Sequence, residues 1–255
     1  MRDSIVYIGV PEGAYMNLAT PAARRGRLSL SEHAYFVIRD RILKGQIPLG
    51  AALSRRKLAA ELGMSLLPVA EALQRLENDG LVESRPRVGT RVFLPTAEDI
   101  REQYEVREAL ESQAARLYAE KASVRDKLDL EKMAERLDAM FNQCYSSKEK
   151  NREFLYAVHS YHSELHLRIA ECTGCGALLR TIEKHHVLIF NWVFDVAADR
   201  PPLPSKFHRD LVMTLNKGDA QDADRAMRKH IRYGMDNIAK TIGPRANEAT
   251  IQRVK

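Results

Sequence analysis

One segment, Leu53 to Val92, restricts the fold more than any other part of the chain, because its apolar period changes from helical to extended within it. Leu58, Ala59 and Leu62 recur at three- and four-residue steps, one face of a short helix that Gly63 ends. Gly63-Met64-Ser65 reads as a tight turn. Ser65 is a good N-cap for a second helix, whose buried stripe is Val69, Ala72, Leu73 and Leu76. Leu66, Gln74, Arg75 and Asn78 fall outside that stripe and are free to meet a partner. Beyond Gly80, Leu81-Val82 reads as a strand, Arg85 to Gly89 as a turn and Thr90 to Leu94 as the returning strand. Arg85, Arg87 and Arg91 then lie on or beside a hairpin tip, where a phosphate backbone could meet them. Helix, turn, helix and basic hairpin, in that order, make a winged helix-turn-helix.

The charge distribution points the same way. Residues 1–95 hold 14 Lys and Arg against 9 Asp and Glu, whereas the remainder holds 26 against 25. The positive excess is concentrated in the part that carries the hairpin, and a basic surface favours a polyanion over a neutral partner. At 255 residues the chain is long enough for two domains. Three cysteines, with Cys172-Thr173-Gly174-Cys175 the only close pair, do not form a secreted disulfide framework. The run Ile5 to Val10 is too short for a signal segment and no stretch approaches a membrane span, so a cytoplasmic location without membrane contact is expected.

Residues 1–27 have no period, carry Pro11 and Pro21, and read as a flexible arm. Ser29 or Ser31 starts a helix to about Lys44, with Ala34, Val37, Ile38, Ile42 and Leu43 inward and Gly45 closing it. Leu94-Pro95-Thr96 interrupts the returning strand. A winged domain over 28–95 is therefore expected to give way to an all-helical one over 96–243. Thr96 with Glu98 and Asp99 is a good helix start. Six helices follow, about 97–121, 126–146, 150–172, 175–198, 204–217 and 219–242, joined by short linkers as in an antiparallel bundle. Residues 244–255, after Gly243-Pro244, read as a flexible tail. The fold class is mainly α.

Across residues 31–94 the spacing of Gly45, Pro48-x-Gly50, Leu58-Ala59-x2-Leu62-Gly63, Ser65, Pro68-Val69, Glu71-Ala72-Leu73-x2-Leu76, Gly80-Leu81-Val82 and Gly89-Thr90 resembles the DNA-binding domain of the GntR family of bacterial transcription regulators. The resemblance implies DNA contacts from Arg55, Arg56, Lys57, Ser65, Leu66, Leu67, Gln74, Arg75, Arg85, Arg87 and Arg91. Arg56 matches the family's contacting arginine in the helix before the turn. Two departures stand out: the family usually has Arg where this chain has Leu66 and Ala70, which removes two readers of guanine. Leu66 or Leu67 could meet a thymine methyl instead, or affinity could rest on Arg55, Arg56, Lys57 and the wing.

Seven of the eight histidines lie between positions 159 and 230. His159, His162 and His166 share one helix face, and a pair four residues apart can hold one metal ion. His208 and His230 each interrupt an apolar stripe, and buried imidazoles need partners. This second domain resembles the helical FCD-type domain of the FadR subfamily, through Arg107-x3-Glu111, His166-x7-Gly174, His208 and Gly218-Asp219-x3-Ala223-x6-His230. The resemblance implies a divalent metal ion held by His162, His166, His208 and His230, with His162 standing where metal-binding members carry Asp. An all-nitrogen set suits Zn, Ni, Co or Cu, of which Zn or Ni is expected. The lost negative charge leaves the cation less neutralised, so an anionic effector is expected to be held more strongly. Arg107 either pairs with an effector carboxylate or makes an ion pair with Glu111.

The function expected from these features is a ligand-responsive regulator, not an enzyme. It would act as a repressor of a catabolic operon, a homodimer on palindromic double-stranded DNA controlled by a small carboxylate. A metal sensor and a DNA-tethered metallohydrolase are the alternatives. No HExxH is present for the latter.

Overall fold

The computed structural model describes residues 28–146, 151–196 and 202–253, with the side chains of 187–196 and 237–253 outside the description. The expected arm over 1–27 also lies outside it. The chain divides into two compact units, one built on residues 28–103 with 184–196 and 238–253, and the other on Tyr104–Glu183 with residues 202–237. In order, the elements are α1 (Leu30–Leu43), β1 (Ala52–Leu53), α2 (Arg55–Leu62), α3 (Leu66–Asn78), β2 (Val82–Arg85), β3 (Gly89–Val92), α4 (Ala97–Lys121), α5 (Val124–Ser146), α6 (Arg152–Cys172), α7 (Gly176–Val196), α8 (Phe207–Asn216) and α9 (Ala220–Arg253).

The first unit packs α1 on α3, with α2 beside α3. A reciprocal capping box between Ser29 and Glu32 starts α1 and satisfies amides that a helix end leaves open. Ala34, Ile38, Ile42 and Leu43 are buried with Val69, Ala72, Leu73 and Leu76 as expected, while Val37 is only half-buried. Tyr35 is an unexpected member of this core: its hydroxyl donates to Asp79 Oδ2 at 2.6 Å, fastening α1 to the end of α3. A bond to a carboxylate in this setting contributes about 1.5–3 kcal/mol. Tyr35→Phe should lower stability by that amount in urea unfolding, and an unchanged midpoint would remove the bond from the account.

Gly63 ends α2 in the left-handed conformation (φ 63°), and a Cβ there would meet nothing within 4 Å, so backbone freedom alone favours glycine. The wing is a three-stranded antiparallel sheet in the order β1-β3-β2. Glu83 faces Arg91, Ser84 faces Thr90, and Leu53 on β1 faces Thr90 from the other side. The Ser84 and Thr90 hydroxyls are 3.0 Å apart across the hairpin. The hairpin turn closes with Val88 N donating to Arg85 O at 3.2 Å. Pro86 then occupies the second turn position, and Arg87, at φ 64°, the third. That is the position where such turns prefer glycine.

All six helices of the second part form. Thr96 and Asp99 cap α4 reciprocally, Ser123 with Asp126 does the same for α5, and Asn151 accepts from Phe154 N at the start of α6. Ser123 explains why α5 begins at Val124, two residues earlier than its apolar period indicates. α5 packs on α6 and α8. Tyr118 donates to Asn216 Oδ1 at 2.9 Å, and Lys127 Nζ donates to Asn216 O at 3.1 Å, closing the end of α8. The tail expected over 244–255 is a correction: α9 runs through Gly243 and Pro244 to Arg253. Proline's φ is compatible with a helix, but Pro244 removes one amide donor and a proline ring crowds the carbonyl four residues back, which weakens the helix at that point by about 3 kcal/mol.

Candidate nucleic-acid interface and histidine centre

The start of α2 carries Arg55, Arg56 and Lys57, all exposed. β1 ends two residues earlier, opposite Thr90, so the sheet register holds these cations beside the wing. Ser54 caps α2 by accepting from Lys57 N at 3.3 Å. Ser65 occupies the N-cap position of α3 but makes no capping bond. The reason lies three residues on: Pro68 stands where the helix would present the amide that such a serine bonds, and proline has none. Leu66 and Leu67 are 51% and 67% exposed at the head of α3, with Gln74 exposed farther along. Two of the expected DNA-facing arginines are engaged inside the unit. Arg75 lies 4.0 Å over the Tyr35 ring, and Arg91 is half-buried with Nε 2.6 Å from Glu83 Oε1. Arg85 also reaches Glu83, at 3.3 Å, from an exposed position, while Arg87 stands exposed at the tip.

In the helical unit, α6 places His162 and His166 one turn apart, with their Nε2 atoms 3.0 Å from each other. From α9, His230 brings its Nε2 to 3.2 Å from that of His166. Donor atoms of these three residues all lie within 4.8 Å of one another. His208, from α8, sets its ring centroid 4.8 Å from that of His162 and 5.4 Å from that of His230. It does not join the closest group of three. Phe141 stacks on His208 at 5.2 Å and Phe207 on His230 at 4.5 Å, so aromatic faces wall the cluster. His159, the third histidine of the α6 face, packs edge-on against Phe141.

Burial sets the electrostatics here. Desolvation, then the neighbouring rings and Arg107, hold the His162 and His230 pKa values well below the usual histidine range. Desolvation also lowers that of His208, against the opposing pull of Asp138. Neutral rings with converging lone pairs are the form in which imidazole binds a metal. Glu111 Oε2 lies against His166 Nδ1, and its other oxygen receives Arg107 Nε at 2.5 Å. The ion-pair reading of Arg107 is therefore realised, with the guanidinium buried next to the cluster. The sequence reading missed Asp138, buried on α5 beside His208. The available signal was a carboxylate on the apolar face formed by Leu130, Ala134, Leu137 and Phe141.

Residues 30–92 match the family described as bacterial regulatory proteins, gntR family, and residues 102–233 match the FCD domain. The chain belongs to the gntR family. Over 210 residues it is 30% identical to the probable D-xylose utilization operon transcriptional repressor of Paenarthrobacter nicotinovorans, covering 82% of this chain and 88% of that relative. It is 23% identical to the transcriptional repressor RspR of Escherichia coli K12, covering 82% and 89%. Among solved structures, E. coli McbR/YncC superposes with a TM-score of 0.67 at 20% identity, covering 84% of this chain and 99% of that one. At that identity the likeness bears on fold alone. As a GntR-family member with an FCD domain, the chain is a transcriptional regulator and not an enzyme, which removes the metallohydrolase reading. No helix among the described residues is long and apolar enough to cross a membrane.

Proposed function

We propose that this GntR regulator represses a catabolic operon as a cytoplasmic homodimer, binding palindromic double-stranded DNA through residues 28–95 and taking a small carboxylate effector in the domain over 96–243. The observation that carries the effector half is the convergence of three Nε2 atoms at 3.0 and 3.2 Å, from buried His166 and His230 and half-buried His162. Nitrogens about 2.0–2.1 Å from a shared ion lie roughly 3.0–3.4 Å from one another, so the cluster fits a divalent ion with little rearrangement. His208 Nε2, buried and without a hydrogen-bond partner in the described structure, fits the role of fourth ligand. His162, His166, His208 and His230 would hold Zn2+ or Ni2+. Once bound, the ion supplies a positive centre that attracts an anion. Arg107, buried beside it, would pair with the effector's carboxylate while Glu111 keeps it oriented.

On the DNA side, Arg55, Arg56 and Lys57 with Arg85 and Arg87 supply phosphate contacts, and the uncapped Ser65 hydroxyl adds a donor. Leu66 and Leu67 meet thymine methyls, and Gln74 reaches base edges. Arg75 would contribute from its exposed position over the Tyr35 ring, whereas Arg91 would contribute only after leaving Glu83. Arg87→Gly separates charge from conformation. It should leave stability unchanged or raised by up to about 1 kcal/mol, because the left-handed turn position suits glycine. The same change should reduce the slope of log affinity against log salt by about one. Loss of stability together with unchanged DNA binding would contradict both assignments.

The deciding experiment measures operator affinity with metal removed and restored, each with and without candidate carboxylates. Release by carboxylate only in the metal-loaded protein supports the reading. Release by metal alone makes the ion itself the effector, and identical affinity in all four conditions overturns metal and carboxylate control together. His162→Asp, which restores a negative ligand, should weaken carboxylate binding at equal metal loading.

A further inference from the structure

We infer that Asp138 is a positioning residue of the histidine centre, fixing the His208 ring as its Nδ1–H tautomer and tying that ring to the first turn of α8. The observation is one buried carboxylate on α5 that receives three donors from α8. Asp138 Oδ1 accepts from His208 Nδ1 at 2.7 Å and from His208 N at 3.0 Å, while Oδ2 accepts from Arg209 N at 3.0 Å. The helix has no cap of its own: Lys206, at the N-cap position, makes no capping bond, so the amides of the first turn depend on the neighbouring helix. A carboxylate can only accept, and Nδ1 must therefore carry the proton. The ring's other nitrogen, Nε2, is buried without a hydrogen-bond partner among the described residues. A proton there would be an unsatisfied buried donor, so the neutral ring presents a lone pair.

His166 also lies against a carboxylate, that of Glu111, which it shares with Arg107. In Asp138 one group sets both the chemistry of a ligand and the start of the helix that carries it. Outer carboxylates of this kind raise ligand basicity and hold ring orientation, and their loss typically lowers metal affinity by about 10–100-fold. The same coupling gives the cluster a mechanical route outward: whatever displaces His208 also pulls on two capped amides of α8. This rests on the histidine centre proposed above, and its test separates the two.

Proton–nitrogen correlation spectra of 15N-histidine-labelled, metal-free protein, with His208 assigned by comparison with His208→Gln, should give an Nδ1–H tautomer for His208. In Asp138→Ala the ring should shift toward the Nε2–H form. Co2+ affinity should fall by about 10–100-fold, with a changed visible spectrum. An Nε2–H ring in the wild-type protein overturns the proposal without any variant, which covers the case in which Asp138→Ala does not fold. A folded Asp138→Ala protein with wild-type tautomer and wild-type Co2+ affinity overturns it as well. A wild-type protein that takes up no Co2+ would sink the metal reading, while the tautomer measurement still decides the role of Asp138.

Discussion

Alanine at His166 is expected to lower affinity for Zn2+ or Ni2+ by more than the roughly 10–100-fold that follows loss of an outer-shell partner. His166 is the hub of the cluster, since its Nε2 is the atom that both His162 and His230 approach, at 3.0 and 3.2 Å. Its removal leaves no close triangle of donors on α6 and α9. It also strips Glu111 of the ring it orients, although Arg107 remains paired with that carboxylate and limits the structural damage. Competition titration against a chelator of known strength measures the effect. Thermal unfolding in the presence of chelator gives the control, because loss of folding would move that midpoint and loss of a ligand would not. A variant that folds and retains affinity within about threefold of wild type would end the assignment of these histidines to a metal.

The second large effect is expected on the DNA. Introducing Leu66→Arg and Ala70→Arg together should redirect operator choice toward guanine, because positions four apart on a helix share a face. Each bidentate arginine–guanine pair discriminates by about 1–3 kcal/mol. Leu66 is exposed and Ala70 half-exposed, so longer side chains can be accommodated there without disturbing the stripe of Val69, Ala72, Leu73 and Leu76. Selection of preferred sites from a randomised duplex pool would read the change directly. Wild type should enrich thymine where the double variant enriches guanine, and identical selected sites would show that these two positions do not read bases.

The stripe on α3 and the positions of α4 to α8 were legible in the sequence because burial of one helix face imposes a period that survives without knowledge of partners. The histidines were legible in a different manner. His162 and His166 follow from local spacing, whereas His208 and His230 stand out only as polar interruptions of apolar stripes, and a family likeness was needed to group them with the α6 pair, since nothing in a linear pattern says that α8 and α9 carry their rings to α6. Asp138 and Tyr35 escaped because their partners lie 70 and 44 residues away. Ser65 was misread in detail for a local reason that was available: Pro68 removes the amide its hydroxyl would have capped. Arg75 and Arg91 looked like free cations, and only the fold reveals the Tyr35 ring and Glu83 that engage them.

The enclosure of the histidine cluster also governs time. His208, His166 and His230 are 0%, 2% and 6% exposed, and the walls include Phe141 and Phe207. His162 is only half-buried, so an ion seated among these rings would exchange with solvent through motion on the His162 side or local opening of the packed helices, events slower than the motion of an exposed side chain. Metal acquired while the chain folds would thus be retained through brief changes in its surroundings. The regulator would then carry a record of metal supply at its synthesis, and chelators added to folded protein should act at the opening rate, largely independent of their concentration.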